Sequence, residues 1–358
     1  MTDTVAAAES GAGSAAPPRP PKQEQRPASS EVTEVAPNVL RVQLPIQMPG
    51  LGHVNTYVLV DARGIALMDP GVPGADCWAA LVDRLASVGL AVGDVHTVFI
   101  THGHIDHWGL AARLARESRH DVELITHEAF ASHWRRGEGE DLFLVDVDID
   151  DIPIDNPFIG ETPWGRVWGP PPGVEPMEFE RPQTTRYVRD GEAVRLAGRE
   201  MWVVHSPGHT LDHICLSDPS EGVLFSGDHV LPTITPHISG LGSGRDPLDL
   251  FEESLVKVGG MDGVRLALPA HGDPFTDLRG RTEAIRAHHV ERLLKLRDLS
   301  QDLGPTTVEE FSHHLFRQDH WGPMAEAETF AHLEHLRLAG LAERQGSGAE
   351  MAYELAPR

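Results

Sequence analysis

The sequence predicts an α/β or α+β fold built from layered sheets, on three observations. From Val32 to about Gly272, short β-type runs alternate with helical segments of amphipathic spacing. Turn residues such as Pro45, Gly50 and Gly64 separate the runs. Histidines and aspartates recur just after several of those runs, where a loop leaves the sheet.

Residues 1–30 are Ala, Pro, Ser and Gln with almost nothing to bury. Such a segment cannot offset its own ordering entropy and reads as a disordered tail. A domain from 31 to 276 follows. It opens with strands at 39–44, 55–61 and 64–69, then a helix over 75–88 with Ala79, Leu81, Val82, Leu85 and Val88 at near-helical spacing. "VHTVFI" (95–100) is the next strand, and Asp106 to Glu117 the next helix. A strand at 122–126 and a short helix come next. Strands at 200–206, 213–218 and 222–228, a helix near 247–258 and a strand opening 264–272 complete the domain.

The stretch 137–183 breaks the rhythm. Residues 138–155 carry eight acids and no Lys or Arg, and 157–182 turn Pro-rich around Trp164 and Trp168. Compact domains rarely keep so long a loop without use. A solvated excursion and a substrate wall both remain open. Beyond Asp277, three helical segments and two short β-type pieces (341–345, 350–355) read as a winged-helix domain over 277–358.

Charge narrows the function. Thirty Lys and Arg against 54 Asp and Glu give −24, which disfavours nucleic acid or an anionic membrane as a general partner. The two cysteines, Cys77 and Cys215, lie in apolar segments and read as reduced, packed thiols of a cytoplasmic protein. No apolar run approaches the roughly 20 residues of a membrane span.

The chemistry concentrates in "FITHGHIDHWG" (99–109), where His102, His104, Asp106 and His107 follow a strand. Alternate residues of extended chain share a face, so His102 and His104 point together. Further candidates follow other strands: His209 in "VVHSPGHT", Asp228 in "FSGDH" and His271 in "ALPAHG". Imidazole and carboxylate without thiolate suit zinc, with manganese or iron also open. Seven such groups are too many for one tetrahedral ion and suit two ions sharing a bridge.

These motifs resemble the metallo-β-lactamase superfamily, whose signature is H-x-H-x-D-H followed by separate His, Asp and His ligands. The resemblance runs from Val32 to about Gly272. It implies an αββα sandwich of two mixed sheets with a dinuclear site at one edge. It gives His102, His104 and His209 to a first metal, Asp106, His107 and His271 to a second, and Asp228 to both. "GHVNTYVLVD" (52–61) and "MDPG" (68–71) also resemble the superfamily's early strands, with the Asp69 turn supporting the site. Two cations roughly 3.5–4 Å apart lower the pKa of a shared water and polarise a substrate oxygen. Asp106 then serves as ligand and as orienter of the attacking hydroxide.

"SGDHVLPTITPHISG" (226–240) with a C-terminal winged helix resembles the β-lactamase-like 2 type branch, which includes single-strand endoribonucleases and polyketide-associated thioesterases. Residues 283–358 hold eight Lys and Arg against thirteen Asp and Glu, so the wing reads as a packing or dimerisation module rather than a nucleic-acid binder. His237 is a candidate proton donor to a leaving group, with a supporting role competing. His213 and His229 lie near site loops, and His53, His96, His120, His205, His288 and His289 are assigned no function. The expected activity is a dinuclear hydrolase whose metal-bridging hydroxide attacks a small ester, thioester or lactone. Phe158, Trp164 and Trp168 would wall the acyl pocket. A metal-dependent single-strand endoribonuclease or phosphodiesterase is the alternative, followed by a mononuclear-iron sulfur oxygenase.

Overall fold

The computed structural model describes residues 22–48, 50–130, 160–168, 180–239 and 246–357. Strands β1 (Thr33–Ala36), β2 (Val39–Met48), β3 (Leu51–Asp61) and β4 (Gly64–Met68) pair antiparallel in sequence. Beyond β4, β5 (Val95–Phe99) and β6 (Glu123–His127) run parallel to it. The pair β7 (Gly160–Glu161) and β8 (Val167–Trp168) stands apart as a small sheet, and β9 (Arg186–Val188) then closes the first sheet beside β6. Every residue of β5 is buried, the pattern of a parallel strand covered on both faces.

The second sheet has the order β10 (Ala193–Leu196), β11 (Arg199–His205), β12 (Ile214–Asp218), β13 (Val223–Gly227), β14 (Leu266–Pro269). Its pairs are antiparallel except β13 with β14. The inner faces meet through Tyr57, Met68, Phe99 and Ile125 from one sheet and Val203, Leu216, Phe225 and Leu268 from the other.

Helices cover both outer faces. Helix α1 (Ala75–Ser87) buries Cys77, Leu81 and Leu85 at intervals of one turn against the first sheet, with α2 (Ile105–Trp108) and α3 (Ala111–Glu117) beside it. Helix α4 (Pro247–Gly259) places Phe251, Leu255 and Val258 on the second. The layers are therefore helix, sheet, sheet, helix. Cys77 and Cys215 are free and buried.

Two expectations need correction. The single helix expected over 106–117 is broken at Gly109, where a Cβ would lie 2.2 Å from Pro73 Cδ, so only glycine allows that approach. The tail expected through residue 30 is placed from Lys22 onward. Glu24 is fully buried and accepts the backbone N–H groups of Thr233 and Ile234 at 2.7 and 3.1 Å, which ties a polar segment down without an apolar core. Residues 1–21 lie outside the described residues.

The C-terminal region contributes α5 (Leu278–Leu303), β15 (Thr306–Thr307), α6 (Val308–Leu315), α7 (Pro323–Leu338), β16 (Ala342–Gln345) and β17 (Ala352–Leu355). Its strands pair in the order β15-β17-β16 over a core of Leu296, Phe311, Phe330, Leu333 and Tyr353. Helix α7 also sends Ala331 into the cluster under α4. Among the described residues, no helix is long and apolar enough to cross a membrane.

This topology gathers the loops of interest. Strand β11 is antiparallel to β12, which is antiparallel to β13, and β13 is parallel to β14. The C-terminal ends of β11, β13 and β14 therefore share one edge. Hydrogen bonds from Ile214 N to Thr101 O (2.9 Å) and from Asn55 N to Ala270 O (2.6 Å) stitch the first sheet to that edge.

Candidate metal centre

Past β5 the chain turns through Thr101–His104 into α2. His102 Nε2 lies 2.9 Å from His104 Nδ1, which lies 3.0 Å from Nε2 of His209, carried on the loop after β11. Three ring nitrogens thus converge on one point. Asp228, immediately after β13, brings Oδ2 to 3.5 Å from His209 Nε2 and 4.0 Å from His102 Nε2.

A second group adjoins the first. Asp106 Oδ2 stands 3.5 Å from His107 Nε2 and 3.4 Å from Nε2 of His271, which follows β14. The Asp228 carboxylate reaches this group too, with Oδ2 at 3.6 Å from His107 Nε2 and Oδ1 at 3.3 Å from His271 Nε2. All seven residues expected as ligands are brought together, as His102, His104, His209 and Asp228 in one group and Asp106, His107 and His271 in the other.

The residues fit metal ions on a structural observation. His107 Nε2, His271 Nε2 and Asp228 Oδ1 are buried and find no hydrogen-bond partner among the described residues. Leaving such atoms unpaired costs about 1–3 kcal/mol each. Three of them gathered at the Asp228 carboxylate make a donor set that a cation would satisfy.

The electrostatics agree. Burial, then the neighbouring His107, His104 and His209, holds the His102 pKa well below the usual imidazole value, so its ring is neutral. Burial also disfavours charge on His271, but Asp228 and Asp106 outweigh it and push the pKa up to about 10. His107 rises for the same reason, with burial overcome by Asp106, Asp69 and Asp228. Burial works against ionised Asp106 and Asp228, yet the imidazoles of His107 and His271 hold both well below the usual carboxylate range. The buried carboxylates therefore draw positive charge into the cavity, as protons or as metal ions.

A ring of supporting contacts fixes four of the candidate ligands. His107 Nδ1–H donates to Asp69 Oδ2 at 3.0 Å, leaving Nε2 as the lone pair that faces the site. Asp69 also accepts from Thr101 N and Thr101 Oγ1, each at 2.8 Å, and sits at φ 53. That left-handed backbone is uncommon outside glycine and occurs mostly where tertiary contacts enforce it. His209 Nδ1–H donates to the His237 carbonyl at 2.7 Å, and His271 Nδ1–H to the His53 carbonyl at 2.6 Å. Behind Asp228, its own N–H donates to His213 Nε2 at 3.1 Å. Gly227, with φ +52, is required there, since a Cβ would sit 2.5 Å from His213 Nε2.

Several of these residues escape sequence reasoning. His53, read from sequence as having no function, is buried and orients His271 through its carbonyl. Asn55 donates to the Pro269 and Gly272 carbonyls at 2.8 Å each, and Tyr57 Oη–H to Pro269 O at 2.7 Å, clamping the His271 loop. The available signal was the polar run of His53, Asn55 and Thr56 set into an otherwise apolar strand.

The remaining candidates fall elsewhere. The backbone of His237 meets His209, whereas its half-buried side chain faces Glu328 of α7, with Nδ1 3.5 Å from Oε2. Trp164 is not presented to an open pocket: it is 6% exposed, lies with Phe330 at 4.9 Å between ring centroids, and donates Nε1–H to buried Glu326 at 2.9 Å. Its apolar surface is spent on the C-terminal core, which corrects the substrate-wall expectation for this residue. Trp168 pairs with Gly160 in the β7–β8 ladder. Phe158 lies outside the described residues.

Fold and site define a metal-binding sandwich enzyme, and comparison with known proteins agrees. The model of the metallo-beta-lactamase superfamily matches residues 49–302. The chain belongs to this superfamily. It is similar to a metallo-beta-lactamase family protein of Thermus thermophilus, with a TM-score of 0.70 and 30% identity over 90% of this chain and all of that one. A probable metallo-hydrolase of Bacillus subtilis is 26% identical over 84% of this chain and 92% of its own length. An atrochrysone carboxyl ACP thioesterase of Aspergillus novofumigatus is 25% identical over 73% of this chain, which spans only 62% of that protein. The chain is thus an enzyme of the metallo-hydrolase type.

Proposed function

We propose that the chain is a dinuclear metal-dependent hydrolase of a small ester, thioester or lactone. The observation that carries this reading is the Asp228 carboxylate, which lies between two ligand groups and reaches His209 with one oxygen and His271 with the other. His102, His104 and His209 would hold one ion, Asp106, His107 and His271 the other, and Asp228 both. Zinc suits this nitrogen and oxygen set, with manganese or iron as the other candidates. When bound, two such cations supply hydroxide at neutral pH and polarise the acyl oxygen.

The chain's own groups do the rest. Asp106, kept ionised by the imidazoles beside it, accepts a hydrogen bond from the attacking nucleophile and sets its direction. His237, whose Nδ1 faces Glu328, would donate to the departing group through Nε2. Phe158 and Trp168 supply apolar surface for the acyl group, a role supported by sequence alone. An acyl substrate is favoured over a phosphodiester by the net charge of −24, and it accords with the thioesterase among the relatives. In this reading residues 277–358 form a winged-helix-like module that packs on the catalytic domain, as in the β-lactamase-like 2 type branch, and the protein works in the cytoplasm.

The test is a matched panel of ester, thioester, lactone and phosphodiester substrates with the metal-loaded protein. Acyl turnover should exceed phosphodiester turnover, and His237→Ala should lower kcat most for substrates with poor leaving groups. Dominant phosphodiester turnover would reject the proposal.

A further inference from the structure

The superfamily match ends at residue 302, yet a residue beyond it touches His237, whose carbonyl meets His209. We infer that Glu328, presented by α7, is a positioning residue of the first ligand group: it holds His237, and so the carbonyl that orients His209. The inference rests on the reading of this site as a metal centre.

The segment carrying His237 has no ladder of its own. Among the described residues, no main-chain hydrogen bond holds the peptides from Leu231 to Ile238. Side chains do so instead. Arg281 donates to the Leu231 and Ile234 carbonyls at 2.6 Å each, and Glu24 accepts from Thr233 N and Ile234 N. Ile238 is fully buried and anchors the chain just beyond. At His237 itself, the contact is Glu328 Oε2 at 3.5 Å from Nδ1. The carbonyl of this same residue receives His209 Nδ1–H, the bond that leaves His209 Nε2 free to face the site.

Glu328 is well placed to fix a ligand because its helix cannot drift. Two residues earlier and about 200° around the helix, Glu326 is buried and accepts from Trp164 Nε1 at 2.9 Å and Arg166 Nε at 3.1 Å. One turn later, His332 Nδ1–H donates to the Glu328 carbonyl at 2.6 Å. Further on, His335 Nδ1 lies 2.8 Å from Asp246 Oδ2, and Asp246 caps the N-terminus of α4. One face of α7 thus grips the 160–168 strap, another grips α4, and Glu328 projects toward the metal-bearing edge. A carboxylate on a rigid element is the kind of support that sets ligand geometry.

The experiment uses the full chain, stripped by chelation and titrated with Zn2+ in competition with a chromophoric chelator, then with Co2+ followed by its absorption spectrum. Glu328→Ala should weaken one of the two ions about 10-fold or more and leave the other within about twofold, with a changed cobalt spectrum. Glu328→Gln, whose amide oxygen accepts the same Nδ1–H, should stay close to wild type. If Glu328→Ala fails to fold, His237→Ala removes the held side chain while α7 stays intact, and should show the same selective loss. Wild-type affinity for both ions in whichever of these alanine variants folds would overturn the role of Glu328. Wild-type protein that binds no metal would overturn the metal-centre reading itself.

Discussion

Asp69→Asn tests how far the second ligand group depends on a residue that never faces the metal cavity. The change keeps shape, and asparagine tolerates the φ of 53 at this position. Asp69 accepts three hydrogen bonds: Thr101 N on Oδ1, and Thr101 Oγ1 with His107 Nδ1 on Oδ2. An amide has only one acceptor oxygen. If that oxygen stays with Thr101 N, the NH2 faces His107 Nδ1 and pushes the ring proton onto Nε2, the atom that would bind metal. If the amide flips, its NH2 opposes the Thr101 N–H in a buried pocket. The first arrangement puts a proton on Nε2 that a metal must displace, and the second leaves a buried donor opposed, at a cost of about 1–3 kcal/mol. At 1.4 kcal/mol per tenfold, this is roughly a 5- to 150-fold weaker second ion, in line with other second-layer substitutions. Chelator-competition titration of the purified variant should show that loss for one ion, with the ion at His102, His104 and His209 little affected. Two affinities equal to wild type would refute the reasoning, because the tautomer of His107 would then not depend on Asp69.

Two further predictions follow from packing and from proton linkage. Trp164→Ala should cost about 3–5 kcal/mol in chemical denaturation, as a buried indole lost from a core, while the metal content of the folded protein stays that of wild type; an unchanged denaturation midpoint would return Trp164 to the role of a surface wall. In the metal-free chain, the His271 pKa near 10 lies above its usual 6.5. Protonated His271 then contributes stability in full below pH 6.5, and the contribution is lost as pH rises through about 10. Thermal unfolding of chelated protein should therefore show Tm falling across that window, and metal-loaded protein should not show this fall, since the ion takes the place of the proton. A flat or rising Tm in the chelated sample contradicts this reading.

The seven candidate ligands were legible in the sequence because each stands just after a β-type run, and strand ends in a sandwich meet at an edge. His102, His104, Asp106 and His107 announce themselves by spacing, and His209, Asp228 and His271 by repeating the same placement. What holds them was mostly not legible. Thr101 and His53 act through a hydroxyl, a main-chain N–H and a carbonyl, and no residue-type pattern reports where a carbonyl points. The fate of Trp164 was hidden for a different reason. A tryptophan in a Pro-rich stretch looks the same whether it faces a pocket or a helix 160 residues downstream, and only tertiary contact with Glu326 and Phe330 decides. The order of residues 22–30 was hidden likewise, because a single buried carboxylate, Glu24, captures backbone N–H groups more than 200 positions away. The break at Gly109 depends on Pro73, a partner the local helical pattern cannot reveal.

The two-ion centre is tested most directly by the metal content of the full chain with and without Asp228→Asn. The wild type should carry two ions per chain. The variant should lose at least one of them, and acyl turnover with it by orders of magnitude, because a neutral amide cannot offset the repulsion between two cations. Asp228→Asn protein that keeps both the wild-type metal content and the wild-type turnover would contradict a bridged dinuclear site.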